Sequence, residues 1–276
     1  MTIQWFPGHM TRAKRQLEEQ MKQTDVIIEL RDARAVMSST NPLLYTLSKD
    51  KPRIIVLNKA DLADPEITKQ WLQYFKTEGH FAIAVDVLKD NVREQIVRQI
   101  RAVMQPIHER QKKRGIRPRA SRALVVGIPN VGKSTLINRL AQKKATTTAN
   151  KPGLTRALKL IKVDKEIELV DSPGMLWPRF EDEGVGINLA LIGAINEEIL
   201  PHESLVRIAY ERIETLSELL KTEANTYAEL ITNYGLRNNF KLNGEIDIER
   251  SMMDIIRKLR NGKLLRISWE KPDDYV

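Results

Sequence analysis

The sequence predicts an α/β protein: a mainly parallel sheet flanked by helices, followed by a small helical region. Three observations predict it. Short apolar, β-branched runs at 25–30, 54–57, 81–85 and 122–127 alternate with helically patterned stretches at 65–77 and 91–105, which is the mark of βαβ units. The segment Gly127-Ile-Pro-Asn-Val-Gly-Lys-Ser134 stands between an apolar run and the helical Thr135-Leu-Ile-Asn-Arg-Leu, the strand–loop–helix setting of a phosphate-binding loop. After Asp171-Ser-Pro-Gly174 the character changes. Leu205, Ile208, Ala209, Ile213, Leu216 and Leu220 recur at helical spacing, as do Met252, Ile255, Ile256 and Leu259, and such stripes read as ordinary core. The expected division is therefore a sheet domain over 1–178, including an N-terminal segment 1–22, and a helical domain over 179–276.

Taken in order, residues 1–22 read as an aromatic start followed by a polar helix. The runs Leu158–Val163 and Glu166–Val170, joined by Asp164-Lys165, read as a hairpin. At 276 residues the chain can bury one good core or two modest ones. No apolar run approaches the roughly 20 residues a membrane span needs. The opening Met1-Thr-Ile-Gln-Trp-Phe-Pro-Gly-His9 lacks the basic-then-apolar layout of a signal peptide. There is no cysteine, which excludes disulfides and thiolate metal sites. These features fit a cytoplasmic protein without a membrane partner.

The net charge is +9, and it is uneven. Residues 1–174 hold 32 Lys/Arg against 18 Asp/Glu, and residues 175–276 hold 13 against 18. The cationic excess lies with the motifs, where it favours a polyanion such as RNA; a basic but inert surface is the plainer reading. Arg110-Gln-Lys-Lys-Arg-Gly-Ile-Arg-Pro-Arg-Ala-Ser-Arg122 has seven cations and no acid, and reads as an RNA contact, a linker, or both. Arg257, Lys258, Arg260, Lys263 and Arg266 form a second cluster, with a capped helix end as the alternative reading.

The 127–134 segment fits G-x-x-x-x-G-K-[ST]. Its glycines let the loop wrap so that the amides of Val131, Gly132, Lys133, Ser134 and Thr135 face phosphate at a helix N-terminus. Lys133 is expected to reach the β- and γ-phosphates and the Ser134 hydroxyl to bind Mg²⁺. Asp171 closes the run Ile167-Glu-Leu-Val, which suits a Mg²⁺ site reached through water, and Gly174 suits a γ-phosphate contact. Thr155 is the expected second hydroxyl for Mg²⁺, with Thr146, Thr147 and Thr148 as rivals.

Asn58-Lys-Ala-Asp61 ends the run Ile54-Ile-Val-Leu. The Asp61 carboxylate can accept from guanine N1–H and N2–H₂ together, whereas adenine would leave it unpaired. Asn58 can bond the base edge or brace the phosphate loop, and the Lys59 stem can lie over the ring. The stretch after residue 83, Ala84-Val-Asp86, departs from the Ser-Ala pair usual behind a guanine; backbone contact at Val85 or Asp86 is the expectation there. In the usual order N-K-x-D follows the phosphate loop. Here it precedes it, so the topology is expected to be circularly permuted.

With these residues in place, the chain resembles the circularly permuted ribosome-assembly GTPases, specifically the ribosome biogenesis GTPase A (RbgA/YlqF) group, over essentially its whole length. The marks are Trp5-Phe-Pro-Gly-His-Met10, Asp32-Ala-Arg34, Asn58–Asp61, Gly127–Ser134, Lys151-Pro-Gly-Leu-Thr155 and Asp171–Gly174. The resemblance implies a GTPase, slow alone and stimulated by a ribosomal partner, that acts late in maturation of the large ribosomal subunit. It also implies a helical domain contacting rRNA, with ribosomal proteins as further partners. In related GTPases an asparagine at the place of Asn130 helps hold K⁺; shaping the loop is the alternative role. Met175 and Leu176 stand where many GTPases carry a water-orienting glutamine. His9, in a segment that Pro7-Gly8 suggests is a shaped loop, is the expected catalyst; contact with RNA or bracing of the loop are its other readings. Two other functions compete: a GTP-dependent switch acting on protein effectors without RNA, and a metabolic nucleotide enzyme such as a kinase, against which Asp61 argues.

Overall fold

A computed structural model describes residues 7–48, 51–141, 160–171, 182–196 and 199–275, with side chains from residue 15 onward and not for Asp171. Helix α1 (Pro7–Lys22) precedes β1 (Val26–Asp32), α2 (Pro42–Leu47), β2 (Arg53–Asn58), α3 (Pro65–Thr77), β3 (Phe81–Val85), α4 (Val92–Lys113), β4 (Ser121–Gly127) and α5 (Lys133–Ala141). The strands β5 (Leu160–Lys162) and β6 (Ile167–Asp171) follow as the expected antiparallel hairpin. The sheet order is β3-β2-β1-β4-β6-β5, and every pair except β5·β6 is parallel.

Every residue of β1 is buried, as expected of a central strand covered on both faces. One face meets Ile96, Ile100, Met104, Leu136 and Ile137 from α4 and α5. The other is split between a cluster around Leu17, Met21 and Leu44 and one around Trp71 and Phe75. Local signals place the helices. Asn41 and Asp64 cap α2 and α3 by accepting from backbone amides of the first turn, and each helix opens on proline.

Beyond the sheet come α6 (Glu183–Leu191), α7 (His202–Arg212), α8 (Leu216–Leu219), α9 (Tyr227–Arg237) and α10 (Ile248–Arg260). The predicted stripes are the inner faces of these helices: Leu205, Ala209, Ile213, Leu216, Leu220, Ile255, Ile256 and Leu259 are buried. Three details differ from the sequence reading. A short hairpin, β7 (Lys241–Leu242) and β8 (Glu245–Ile246), interrupts the helices at Asn243-Gly244, where both residues take positive φ. Helix α4 runs to Lys113 with Pro106 inside it, so the first cations of the 110–122 stretch belong to a helix end and not to a linker. His9 lies in the first turn of α1 and not in a loop, because a proline at a helix start loses no hydrogen bond.

Strand β1 also buries charge. Glu29 accepts from Arg31 Nε and Arg53 Nη1, each at 3.0 Å, and Arg31 is wholly buried against the Tyr45 hydroxyl at 2.9 Å and the Phe75 ring. Glu29→Gln, which strands the Arg31 charge, is expected to cost about 3–5 kcal/mol in urea unfolding. Replacing both partners (Glu29→Gln with Arg31→Met) should recover much of that loss; an additive loss would show that the pair is not the cause.

A candidate nucleotide site at the carboxyl edge of the sheet

Parallel pairing carries the scattered motifs to one edge. In the register Asp32 lies opposite Asn58, Asn58 opposite Val85, Leu30 opposite Gly127 and Val125 opposite Asp171. The N-K-x-D segment, the segment after β3 and the phosphate loop therefore all leave the sheet at its carboxyl edge, where Asp171 also stands. The strand order turns about β1 and β4, the switch point where open α/β sheets form their ligand crevice.

The phosphate loop has the shape its glycines permit. Gly132 takes φ +102°, and a Cβ there would lie 2.3 Å from Asn58 Nδ2. A Cβ on Gly127 would meet the Leu30 carbonyl at 2.9 Å. Asn130 and Lys59 also take positive φ, at 59° and 60°. Lys133 and Ser134 open α5, with Thr135 in the same turn. Of the two roles open to Asn58, bracing is the one seen. Its Nδ2 donates to the Val131 carbonyl at 2.7 Å, and its Oδ1 accepts from the Val87 amide at 3.2 Å. One buried amide thus ties β2, the segment after β3 and the phosphate loop together.

Around Asn58–Asp61 the electrostatics are specific. Lys59 Nζ lies 3.0 Å from Asp32 Oδ2, and Arg34 grips the same carboxylate through Nε and Nη2, both at 2.8 Å. Burial by itself favours the neutral acid, but the Lys59 and Arg34 charges outweigh it and hold Asp32 well below the usual carboxylate range. Asp61 is paired with the exposed Lys89 at 3.2 Å, and Lys89 also meets Asp86 at 3.0 Å. Val85 accepts from the Ala60 amide, and the Asp86 amide donates to Asp90 at 2.7 Å. Asn130 turns its amide towards the helical region and donates to the Gly193 carbonyl at 3.2 Å.

The end of the chain clamps this edge. The Ile267 amide donates to Leu62, the Trp269 amide to Arg34, and the Arg266 guanidinium to the carbonyls of Ala60 and Ala63. Glu270 accepts from the Met37 and Ser38 amides and the Ser38 hydroxyl. Sequence reasoning assigned no role to Arg34, Lys89 or Glu270; the Asp32-Ala-Arg34 motif was the one visible signal. For the cluster that includes Arg266 the sequence allows an RNA contact or a capped helix end, and Arg257, Lys258 and Arg260 do stand in the last turn of α10. Four members of that second cluster have partners within the chain: the exposed Arg257 and the half-buried Lys258 pair with Asp254, Arg260 donates to the Ala190 carbonyl, and Arg266 is held as above. Asp171 closes β6 two residues beyond the level of Ala123's partner, beside the strand that carries the phosphate loop. Thr155, Gly174 and the rivals Thr146 to Thr148 lie outside the described residues, as does the side chain of His9. Among the described residues no acidic or histidine cluster forms a ready metal cage.

A depressed folded value means that the Asp32 contribution to stability is present above the ordinary aspartate range near pH 4 and is lost as pH falls below it. Asp32→Asn is expected to lower the urea midpoint at pH 7, with the gap to the wild type narrowing progressively as pH falls below about 4 and still closing below about pH 3. A gap independent of pH would show that charge on Asp32 is not what stabilises this edge.

The family profile described as "50S ribosome-binding GTPase" matches residues 122–233. That span opens on the phosphate-loop strand, so the Asn58–Asp61 segment precedes it. The protein named ribosome biogenesis GTPase A of Bacillus cereus is 44% identical over 283 residues, covering 100% of this chain and 96% of its own. Its namesake in Priestia megaterium is 42% identical, covering 99% and 98%. Among solved structures, GNP-bound YlqF from T. maritima matches with a TM-score of 0.69 at 26% identity, covering 95% of this chain and 99% of its own. The GDP-bound form matches with a TM-score of 0.65. With its motifs in permuted order on one sheet edge, and with relatives this similar from end to end, the chain belongs to the ribosome biogenesis GTPase A family.

Proposed function

We propose that this protein is a cytoplasmic GTP-hydrolysing assembly factor that binds the precursor of the large ribosomal subunit through its rRNA and promotes its late maturation. The observation that carries the nucleotide part is the convergence of Asn58–Asp61 and Gly127–Ser134 on one edge, locked by the Asn58–Val131 bond. In this reading Asp61 and Lys59 take the guanine. The segment at Val85 and Asp86 backs it, and the amides of 130–135 cradle the phosphates. Lys133 neutralises the β- and γ-oxygens. The tight curve at Gly132, which tolerates no side chain, and hydroxyl and carboxylate donors at Ser134 and Asp171 suit a magnesium nucleotide. Thr155 lends Mg²⁺ its second hydroxyl, and Gly174 contacts the γ-phosphate. Mg²⁺ held there would offset charge developing on the transferred phosphate, and K⁺ near Asn130 would add to it. The division into a sheet domain over 1–178 and a helical domain over 179–276 belongs to the same reading.

The RNA part is supported by the family and by the end of α4. Arg110, Lys112, Lys113, Arg114 and Arg117 are exposed and have no acidic partner among the described residues, whereas Arg119 pairs with Asp25. Unpaired cations beside a helix C-terminus suit phosphate oxygens. Sedimentation with ribosomal subunits, in GTP analogue, GDP and no nucleotide across a salt series, tests the assignment. Nucleotide- and salt-dependent association with the large subunit supports it. Association with a protein effector alone would favour a switch of a different class.

Asp61→Asn is expected to weaken GDP binding by at least tenfold and to improve xanthine-nucleotide binding, because the amide can donate to the xanthine oxygen. Unchanged guanine preference would remove Asp61 as the base reader. With Met175 and Leu176 unable to orient water, His9 from the first turn of α1 is assigned that role. His9→Ala should keep GTP and subunit binding, leave the slow intrinsic rate little changed, and lose about 10²-fold or more of the subunit-stimulated rate. Full stimulation in that variant would place the catalyst elsewhere.

A further inference from the structure

We propose that Arg34 is a positioning residue for guanine-nucleotide binding, through which the docked helices fix Asp32 and so hold Lys59 in the base-reading segment. The proposal rests on the reading of 58–61 as the base reader. Arg34 is 2% exposed and uses its whole planar fork. Nε and Nη2 hold the two oxygens of Asp32, Nη1 donates to the Arg260 carbonyl at 2.8 Å, and Nη2 also donates to the Ile192 carbonyl at 3.0 Å. A lysine has neither the number nor the geometry of donors for this. The oxygen of Asp32 that accepts from Nη2 is also the one that pairs with Lys59. A single carboxylate is therefore shared between a cation of the base-reading segment and a cation whose remaining donors end on the helical region.

Both helical carbonyls sit where negative partial charge collects. Ile192 follows the last residue of α6, and Arg260 ends α10. If these helices withdrew, two buried donors of Arg34 would lose their acceptors, and Asp32 could no longer be held in one orientation for Lys59. The same turn after α6 touches the phosphate loop, because the Gly193 carbonyl accepts from Asn130 Nδ2. One turn, Ile192-Gly193, thus bears on both halves of the nucleotide site. Linkage then requires that nucleotide binding and docking of the helices strengthen each other. A clamp with a purely structural role would raise stability without altering affinity for nucleotide.

The test is a titration of the full chain with fluorescent GDP. Arg34→Lys keeps a positive charge beside Asp32 but cannot span both carbonyls. Its dissociation constant should rise about tenfold, the effect of one charge-assisted hydrogen bond. In a Lys59→Ala background the same substitution should change the constant by less than about twofold, because its effect runs through Lys59. Gly193→Ala approaches from the helical side with every side chain in place. Gly193 has φ +74° and nothing nearer to an added Cβ than 3.7 Å, so alanine strains the turn without a clash and should weaken GDP about fivefold. It decides the matter if Arg34→Lys does not fold. Folded variants that bind GDP within twofold of the wild type, or Arg34 and Lys59 effects that simply add, would overturn the proposal. A wild-type chain that holds no GDP would overturn the base-reader assignment itself.

Discussion

Asp32 ends the central strand with its carboxylate buried, and an isolated charge in that place would cost several kcal/mol. It is neutralised by Lys59 from the next strand's loop and by Arg34, whose other donors reach Ile192 and Arg260. Satisfying one carboxylate thus joins the sheet, the Asn58–Asp61 segment and the helices beyond the sheet. The Arg266–Glu270 segment reinforces the joint by pairing with the loop Ala60–Asp64 and the turn Met37-Ser38. The chain's far end is thereby part of the wall around a site built mostly from its first half.

Permutation costs this arrangement nothing, for a physical reason. In a parallel sheet all strands present their carboxyl ends to the same edge, whatever their order along the chain. Motifs that terminate β1, β2, β4 and β6 must meet there once the register is set. What order cannot supply is the fit between neighbouring loops. Asn58 supplies it, with one side-chain amide donating to the phosphate loop and accepting from the segment after β3. Gly132 is indispensable to that contact because any Cβ would displace the Asn58 amide.

The distribution of charge is more selective than composition suggests. Two basic clusters look alike in sequence. One, at the end of α4, leaves Arg110, Lys112, Lys113, Arg114 and Arg117 exposed to solvent. The other is partly taken up by the fold, capping α6 through Arg260 and clamping the Ala60–Ala63 loop through Arg266. Net charge marks a region as basic, but which cations are available to a partner depends on the carbonyls and carboxylates that folding brings beside them.

The strands of the sheet, the 158–170 hairpin, the order of the motifs and their place at strand ends can all be read along the chain. Each of these is written in local signals: β-branched runs, turn residues, and glycines that alone fit their backbone. The inner stripes of α7 and α10 are legible there as well, since helical spacing of apolar residues leaves one way to bury them. The tertiary structure alone decided that Asn58 braces the phosphate loop, that Lys89 meets Asp61, that Arg34 shares Asp32 with Lys59, and that Glu270 and Arg266 close the site. Those contacts join residues separated by 27 to more than 200 positions, except the Arg34–Asp32 grip, whose meaning lies in its distant acceptors. A local pattern cannot encode such pairs, because a buried polar group takes whichever partner the packing of distant elements delivers.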